Sequence, residues 1–246
     1  MKIRYIGHSG FILDENSYAI MIDCCGLTAD SPDVIACTGK RLYILASHIH
    51  GDHFDRNILN FGGAQTRWIL SQDIRKKVHD RQEIYYLAKG GEYRDELIRV
   101  KAYGSTDAGI SFYIEAGGHK IFHAGDLNNW HWNEEETPAD AAKNERAFLD
   151  ELSLITREIS PDKRSDSQRA APGGAVLDAA MFPVDPRLGK DYKRGAEQFL
   201  DSIKTGLFIP MHFWDNYGAA RAFGPQAESR GSRFAEIYAP GDIFEI

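Results

Sequence analysis

Residues 46–55 read ASHIHGDHFD, which puts three histidines and two aspartates into ten positions. The stretch just before it, RLYILAS (41–47), is an almost unbroken apolar run, the pattern of a strand buried on both faces. That strand delivers the chain directly into the histidines. His48 and His50 are two apart, so in extended chain both project to one side. Gly51 lets the chain turn tightly, which aims Asp52 and His53 at a neighbouring point. Imidazole nitrogens and carboxylate oxygens are ligands for zinc and similar divalent ions. An ordinary polar loop has no need of histidines at this spacing. Four candidate ligands within residues 48–53 can serve one or two ions.

Other apolar runs end in the same way. SYAIMID (17–23) ends at Asp23, IFHAGD (121–126) at Asp126, and FIPMH (208–212) at His212. Strand ends gather along one edge of a sheet, where ligand sites of layered folds lie, so the repetition predicts one shared site. Between these points the pattern predicts strands over 2–8, 10–15 and 17–23, with a tight turn at Glu15-Asn16. Asp55 is placed to cap a short helix. Strands are predicted over 66–70, 83–89 and 95–103, with a helix over 71–80 capped by Ser71 and carrying Ile74 and Val78 on one face. Residues 109–126 form a hairpin around Gly117-Gly118.

The chain then becomes charged and helical over 134–162. Thr137 caps this helix, Pro138 opens it, Pro161 stops it, and Ala141, Phe148, Leu149, Leu152 and Ile155 form its apolar stripe. A polar loop (163–174), a strand (175–185), a helix (192–203) and a strand (206–215) follow. Strand-rich blocks succeeded by alternating helix and strand predict one α+β domain of stacked sheets with outer helices, spanning 1–246.

Composition narrows the function classes. The chain has 246 residues, 43% of them hydrophobic, which permits a large core and argues against disorder. No apolar run reaches the roughly 18–20 residues of a membrane span. The N-terminal stretch lacks the apolar segment of a signal peptide, so a cytoplasmic protein is expected. The formal charge of −7 points away from a broad nucleic-acid face, and Arg75-Lys76-Lys77 reads as a solvated helix surface. Three cysteines fit reduced thiols rather than a disulfide framework. Cys24 and Cys25 read as small buried residues, with a thiol near the site as the alternative because Asp23 adjoins them.

The His48-x-His50-x-Asp52-His53 pattern, followed in order by Asp126 and His212, resembles the metallo-β-lactamase superfamily of binuclear metallohydrolases. The opening GHSGF (7–11), with HAGD (123–126) and PMH (210–212), looks most like its L-ascorbate-6-phosphate lactonase-like branch. The resemblance implies a four-layer αββα sandwich. It implies that His48 and His50 bind a first metal, that Asp52, His53 and His212 bind a second, and that Asp126 bridges them. Asp23 would orient the histidine loop. A hydroxide on the metal would be the nucleophile, with Asp52 orienting it. The metal is expected to be Zn²⁺, with Mn²⁺ or Fe as alternatives, as one or two ions.

One feature departs from that pattern. Members of the superfamily usually carry a further histidine after a strand, as an aromatic-His-Ser step, and the matching stretch here, VKAYGSTDAG (100–109), has Gly104 in its place. His131, flanked by Trp130 and Trp132 as walls of a pocket, is the first candidate to serve the site instead and to act in catalysis. His123, His8 and Asp107 are further candidates, while His79 and His119 read as surface residues. Arg187, Lys190, Lys193 and Arg194 are placed to meet an anionic substrate at the rim, or else to form a solvated helix start. The expected function is hydrolysis of a small, anionic or phosphorylated ester, lactone or phosphodiester. Rival readings are a metal-binding protein with weak or no hydrolysis because of Gly104, a tRNA-processing-type phosphodiesterase, and redox chemistry at an iron pair. The chain lacks the flavin-bearing partner domain which that last chemistry normally needs. A homo-oligomer is left open.

Overall fold

The computed structural model describes residues 1–78, 83–132, 135–159 and 176–246. His79, the loop 163–174, Pro161 and the outer ends of the predicted segments 71–80, 134–162 and 175–185 lie outside them.

Two seven-stranded sheets stack face to face. The first contains β1 (Lys2–Gly7), β2 (Gly10–Asp14), β3 (Tyr18–Ile22), β4 (Arg41–Ala46), β5 (Arg67–Ser71), β6 (Ile84–Leu87) and β14 (Ile243–Glu245), in the order β14-β1-β2-β3-β4-β5-β6. The second contains β7 (Glu92–Arg94), β8 (Ile98–Gly104), β9 (Ile110–Ala116), β10 (His119–His123), β11 (Leu177–Pro183), β12 (Thr205–Met211) and β13 (Arg233–Phe234), in the order β13-β12-β11-β10-β9-β8-β7. β3 through β6 run parallel, as do β10 through β13; the other pairs are antiparallel, hairpins except for β1 with the C-terminal β14.

The apolar run of β4 now has its reason. Tyr43 and Leu45 point into the core between the sheets. Leu42, Ile44 and Ala46 point outward, against Val34 of the short helix α1 (Pro32–Ile35) and Phe54, Ile58, Phe61 and Ile74 of the turns beyond. A strand covered on both faces needs apolar residues at every position. On the far side, α2 (Pro138–Ile159) buries Phe148, Leu152, Ile155 and Ile159, and Phe148 packs edge-on to Phe182 of β11. Phe199 of α3 (Arg194–Ser202) stacks on Phe182 and Phe122. Helical material therefore covers both outer faces, and the four-layer α+β sandwich is present.

Most predicted elements fall where expected. Asp55 accepts from the Asn57 amide and caps the short 3-10 turn Arg56–Asn60. Thr137 accepts from the Asp140 amide at the start of α2. Gly117 and Gly118 both take positive φ, 59° and 82°, as the tight hairpin requires. Three details differ. The segment after Ser71 forms only a 3-10 turn, Gln72–Lys76, with no side-chain cap from Ser71, because Ser71 itself belongs to β5. The stripe of α2 runs 148-152-155-159, leaving Leu149 41% exposed and Ala141 only half-buried. β7, β13 and β14 were not expected; two or three residues are too few to show a pattern. No helix among the described residues is long and apolar enough to cross a membrane.

Candidate metal centre

The site forms at one edge of the sandwich, where parallel strands end side by side. Asp23 follows β3 and His48 follows β4 in the first sheet; Asp126, Asp185 and His212 follow β10, β11 and β12 in the second. Among the described residues, four other than glycine have positive φ: His8 (49°), Asp23 (48°), His212 (62°) and Trp214 (53°). All four belong to this edge. Such backbone costs about 1–3 kcal/mol per residue and persists where surrounding structure over-determines it.

Asp23 is the anchor of the histidine loop. Its carboxylate accepts from the Ser47 amide (2.7 Å), the Ser47 hydroxyl (2.6 Å) and His53 Nδ1 (2.7 Å). With its proton committed to Asp23, the Ser47 oxygen accepts from His48 Nδ1 at 2.9 Å. Both rings therefore carry hydrogen on Nδ1 and direct Nε2 into the site. His212 is set the same way from the other sheet. Its Nδ1 donates to Asp185 at 2.9 Å, and the fully buried Asp185 is gripped by the Arg187 amide, Nε and guanidinium end at 2.5–3.0 Å. An imidazole held by a carboxylate on one nitrogen is oriented to offer the other to a metal.

The three Nε2 atoms meet at Asp126. His48 Nε2 lies 3.1 Å from Oδ2, and His53 Nε2 and His212 Nε2 lie 3.1 and 3.4 Å from Oδ1. His48 Nε2, His53 Nε2 and Asp126 Oδ1 are all buried without a hydrogen-bond partner. Unsatisfied buried polar atoms are costly, and a divalent ion satisfies all of them together. The donor set therefore fits a metal. Four groupings place their donor atoms within 4.8 Å of one another: His8, Asp52, His53 and His212; His48, His53 and Asp126; His48, His50 and Asp52; and His50, Asp107 and Asp126. Every predicted ligand takes part. Asp52 joins two groupings and draws in His8, whose Nε2 is 3.3 Å from its carboxylate.

The electrostatics suit cation binding. The His8 contact holds the Asp52 carboxyl well below the usual carboxylate range, against the opposing effect of burial. Burial pushes the Asp126 and Asp23 carboxyls up, but the imidazoles around them outweigh it and hold both ionised. Burial likewise disfavours a proton on His53, yet Asp126 and Asp23 on either side raise its pKa to about 10, so without metal the ring holds a second proton on Nε2 that a cation drawn by the same carboxylates would displace.

Other candidates lie elsewhere. The structure does not bring His131 to the cluster: its ring sits between Glu136 and Asp191, at 3.6 and 3.4 Å. Trp130 takes the inward place instead, its indole N–H donating to the Asp126 carbonyl at 2.8 Å. His123 is wholly buried, bonded to the Ser9 carbonyl and the Gly125 amide, and is structural. The Cys24 thiol bonds to the Phe11 and Ile22 carbonyls, and burial pushes the Cys24 and Cys25 thiols up, away from reactivity. At Gly104 the Glu151 carboxylate fills the space, accepting from the Gly104 amide at 2.6 Å and pairing with Lys89.

A cavity of about 270 Å³ opens beside Asp126 and His212, walled by Trp130, Trp132 and Arg187. Arg187 lies 5.7 and 5.1 Å from the Trp132 and Trp214 rings. Of the four basic residues in that segment it alone lines this cavity; Lys193 bonds to the Ala222 carbonyl and Arg194 to Glu145. Asp185 and Ser47 were missed from sequence. Asp185 ends an apolar run, LDAAMFPVD, in the same manner as Asp23.

The two stacked sheets with outer helices are the metallo-β-lactamase fold, and the cluster at its edge brings His and Asp donors together. Over its whole length the chain is 26% identical to UPF0173 metal-dependent hydrolases of Symbiobacterium thermophilum and Deinococcus radiodurans, covering all of each relative. Among solved structures it is similar to Igni18, a metallo hydrolase from Ignicoccus hospitalis (TM-score 0.65, 16% identity, 100% of this chain and 98% of that one). It is also similar to the metallo-β-lactamase fold protein YhfI from Bacillus subtilis (TM-score 0.57, 12% identity, 99% and 98%). No family model matches the chain.

Proposed function

We propose that this chain is a cytoplasmic metal-dependent hydrolase of small anionic esters, lactones or phosphodiesters. One observation carries the reading: three imidazole Nε2 atoms converge on the buried Asp126 carboxylate beside a cavity that presents Arg187. The full-length similarity to metal-dependent hydrolases supports it.

In this reading His48 and His50 hold one ion, Asp52, His53 and His212 a second, and Asp126 serves both. The histidine-rich donor set suits Zn²⁺. A divalent ion held there would supply polarisation of the carbonyl or phosphoryl oxygen under attack and would make water more acidic. The chain's own residues do the rest. Asp23 and Asp185 fix ring orientation and tautomer. Asp52, kept ionised, is the acceptor that orients the attacking water. Arg187 holds Asp185 through Nε and Nη2, and its Nη1 would meet the substrate's anion. Trp130 and Trp132 exclude water from the cavity wall.

The test is a panel of lactones, carboxylic esters and phosphodiesters, each in anionic and neutral form, with metal-loaded chain. Hydrolysis abolished by His53→Ala, and kcat/KM for anionic substrates reduced about tenfold or more by Arg187→Ala, are expected. Metal-loaded chain that hydrolyses nothing on the panel would instead favour a metal-binding protein.

A further inference from the structure

We infer that Asp107 supplies a carboxylate ligand to the metal position built on His48 and His50, in place of a histidine at Gly104. That position then has two imidazoles and two carboxylates, the same donor types as the position of His53, His212, Asp52 and Asp126. The inference rests on the metal-centre reading above.

The place opposite Gly104 is closed. A Cβ there would stand 2.9 Å from the Glu151 carboxylate, which the Gly104 amide and Lys89 hold. The loop after Gly104 is instead bound tightly to the site. At its far end a Cβ on Gly109 would meet the Ser47 carbonyl at 2.1 Å and His48 Cβ at 2.3 Å, and the Ile110 amide donates to the Ser47 carbonyl. In its middle the Thr106 hydroxyl donates to the Asn128 carbonyl (2.5 Å) and accepts from the Asn128 amide (3.0 Å). Asp107 is carried between these anchors. Its Oδ2 lies 4.0 Å from His50 Nδ1, and Asp107, His50 and Asp126 donors fall within 4.8 Å of one another. His48 Nε2, at 0% exposure and unpartnered, lies 3.1 Å from Oδ2 of Asp126, the carboxylate that this grouping shares with it. The Asp107 and His50 side chains are 56% and 50% exposed, so both are open to an incoming ion.

The test uses chelator-treated full-length chain. Mn²⁺ binding is followed by the electron paramagnetic resonance of the free ion, and Zn²⁺ binding by chelator competition. Wild type is expected to take two ions of either metal. Asp107→Ala should weaken one of the two positions about tenfold or more and leave the other intact. Asp107→His should shift that position's preference toward Zn²⁺. Unfolding midpoints of the metal-free variants, expected to match wild type, exclude a folding effect. Two ions in wild type with Mn²⁺ affinity unchanged in Asp107→Ala would overturn the assignment of Asp107 alone. Wild type that binds neither ion would overturn the metal centre itself.

Discussion

Replacing Asp23 by asparagine changes few atoms and should nonetheless disable the histidine loop. All three groups facing Asp23 donate to it: the Ser47 amide, the Ser47 hydroxyl and His53 Nδ1. A carboxylate accepts from all of them, whereas an amide has one acceptor oxygen and an NH₂. If the asparagine oxygen keeps the Ser47 amide, its NH₂ faces His53 Nδ1 and the Ser47 oxygen. His53 must then accept at Nδ1 and carry its proton on Nε2. The Ser47 hydroxyl must turn its proton toward His48 Nδ1, 2.9 Å away, which moves that ring's proton to Nε2 as well. Both Nε2 atoms then present hydrogen, not a lone pair, toward Asp126. If the amide flips, its NH₂ meets the Ser47 N–H at 2.7 Å and a buried donor is stranded, at about 1–3 kcal/mol. Loss of such orienting partners typically weakens metal binding about 10–100-fold, or about 1.4–2.7 kcal/mol. Chelator competition for Zn²⁺ near neutral pH measures this directly. Asp23→Asn that binds Zn²⁺ within about twofold of wild type would refute the assignment of the tautomers.

Gly104→His should not restore a histidine ligand. It should cost about 1–3 kcal/mol by overpacking against Glu151, a loss that Glu151→Ala relieves, and urea denaturation of the single and double variants checks both. Asp95 governs part of the acid stability. Burial pushes its carboxyl up, but the Tyr43 hydroxyl, the Ile98 and Leu97 amides and the Tyr93 hydroxyl outweigh burial and hold it below the usual range. A depressed folded pKa stabilises above the unfolded value of about 3.9 and ceases to do so as pH falls below it. Asp95→Asn should therefore be less stable than wild type at pH 6, the gap closing near pH 3, as denaturation midpoints at the two pH values will show. Phe148→Ala, which empties the contact between α2 and Phe182, should cost about 3–5 kcal/mol by the same assay without moving the metal affinity.

Much of this site was legible in one dimension because parallel strands end at one edge. An apolar run stopping at Asp or His marks that edge, which is why Asp23, His48, Asp126 and His212 could be read together. Asp185 carries the same mark but no neighbouring motif, and its partner His212 is 27 residues away. Glu151 could not be read at all. It lies on α2 among exposed charges, and only the tertiary contact with Gly104, 47 residues away, turns it inward. His131 shows the opposite error. Nearness in sequence to Asp126 suggested a role, but Trp130 takes the inward position and His131, next along the chain, faces Glu136 and Asp191. Asp107 was visible as a nearby oxygen; the loop anchors that carry it to His50 were not.

The central claim is that the cluster at the edge of the sandwich holds divalent metal. Anomalous diffraction at the zinc edge from crystals soaked in Zn²⁺ tests it most directly. The account predicts a peak about 2.0–2.1 Å from His53 Nε2 and His212 Nε2, and a second near His48 and His50. Crystals with zinc bound elsewhere and no peak among these residues would contradict it.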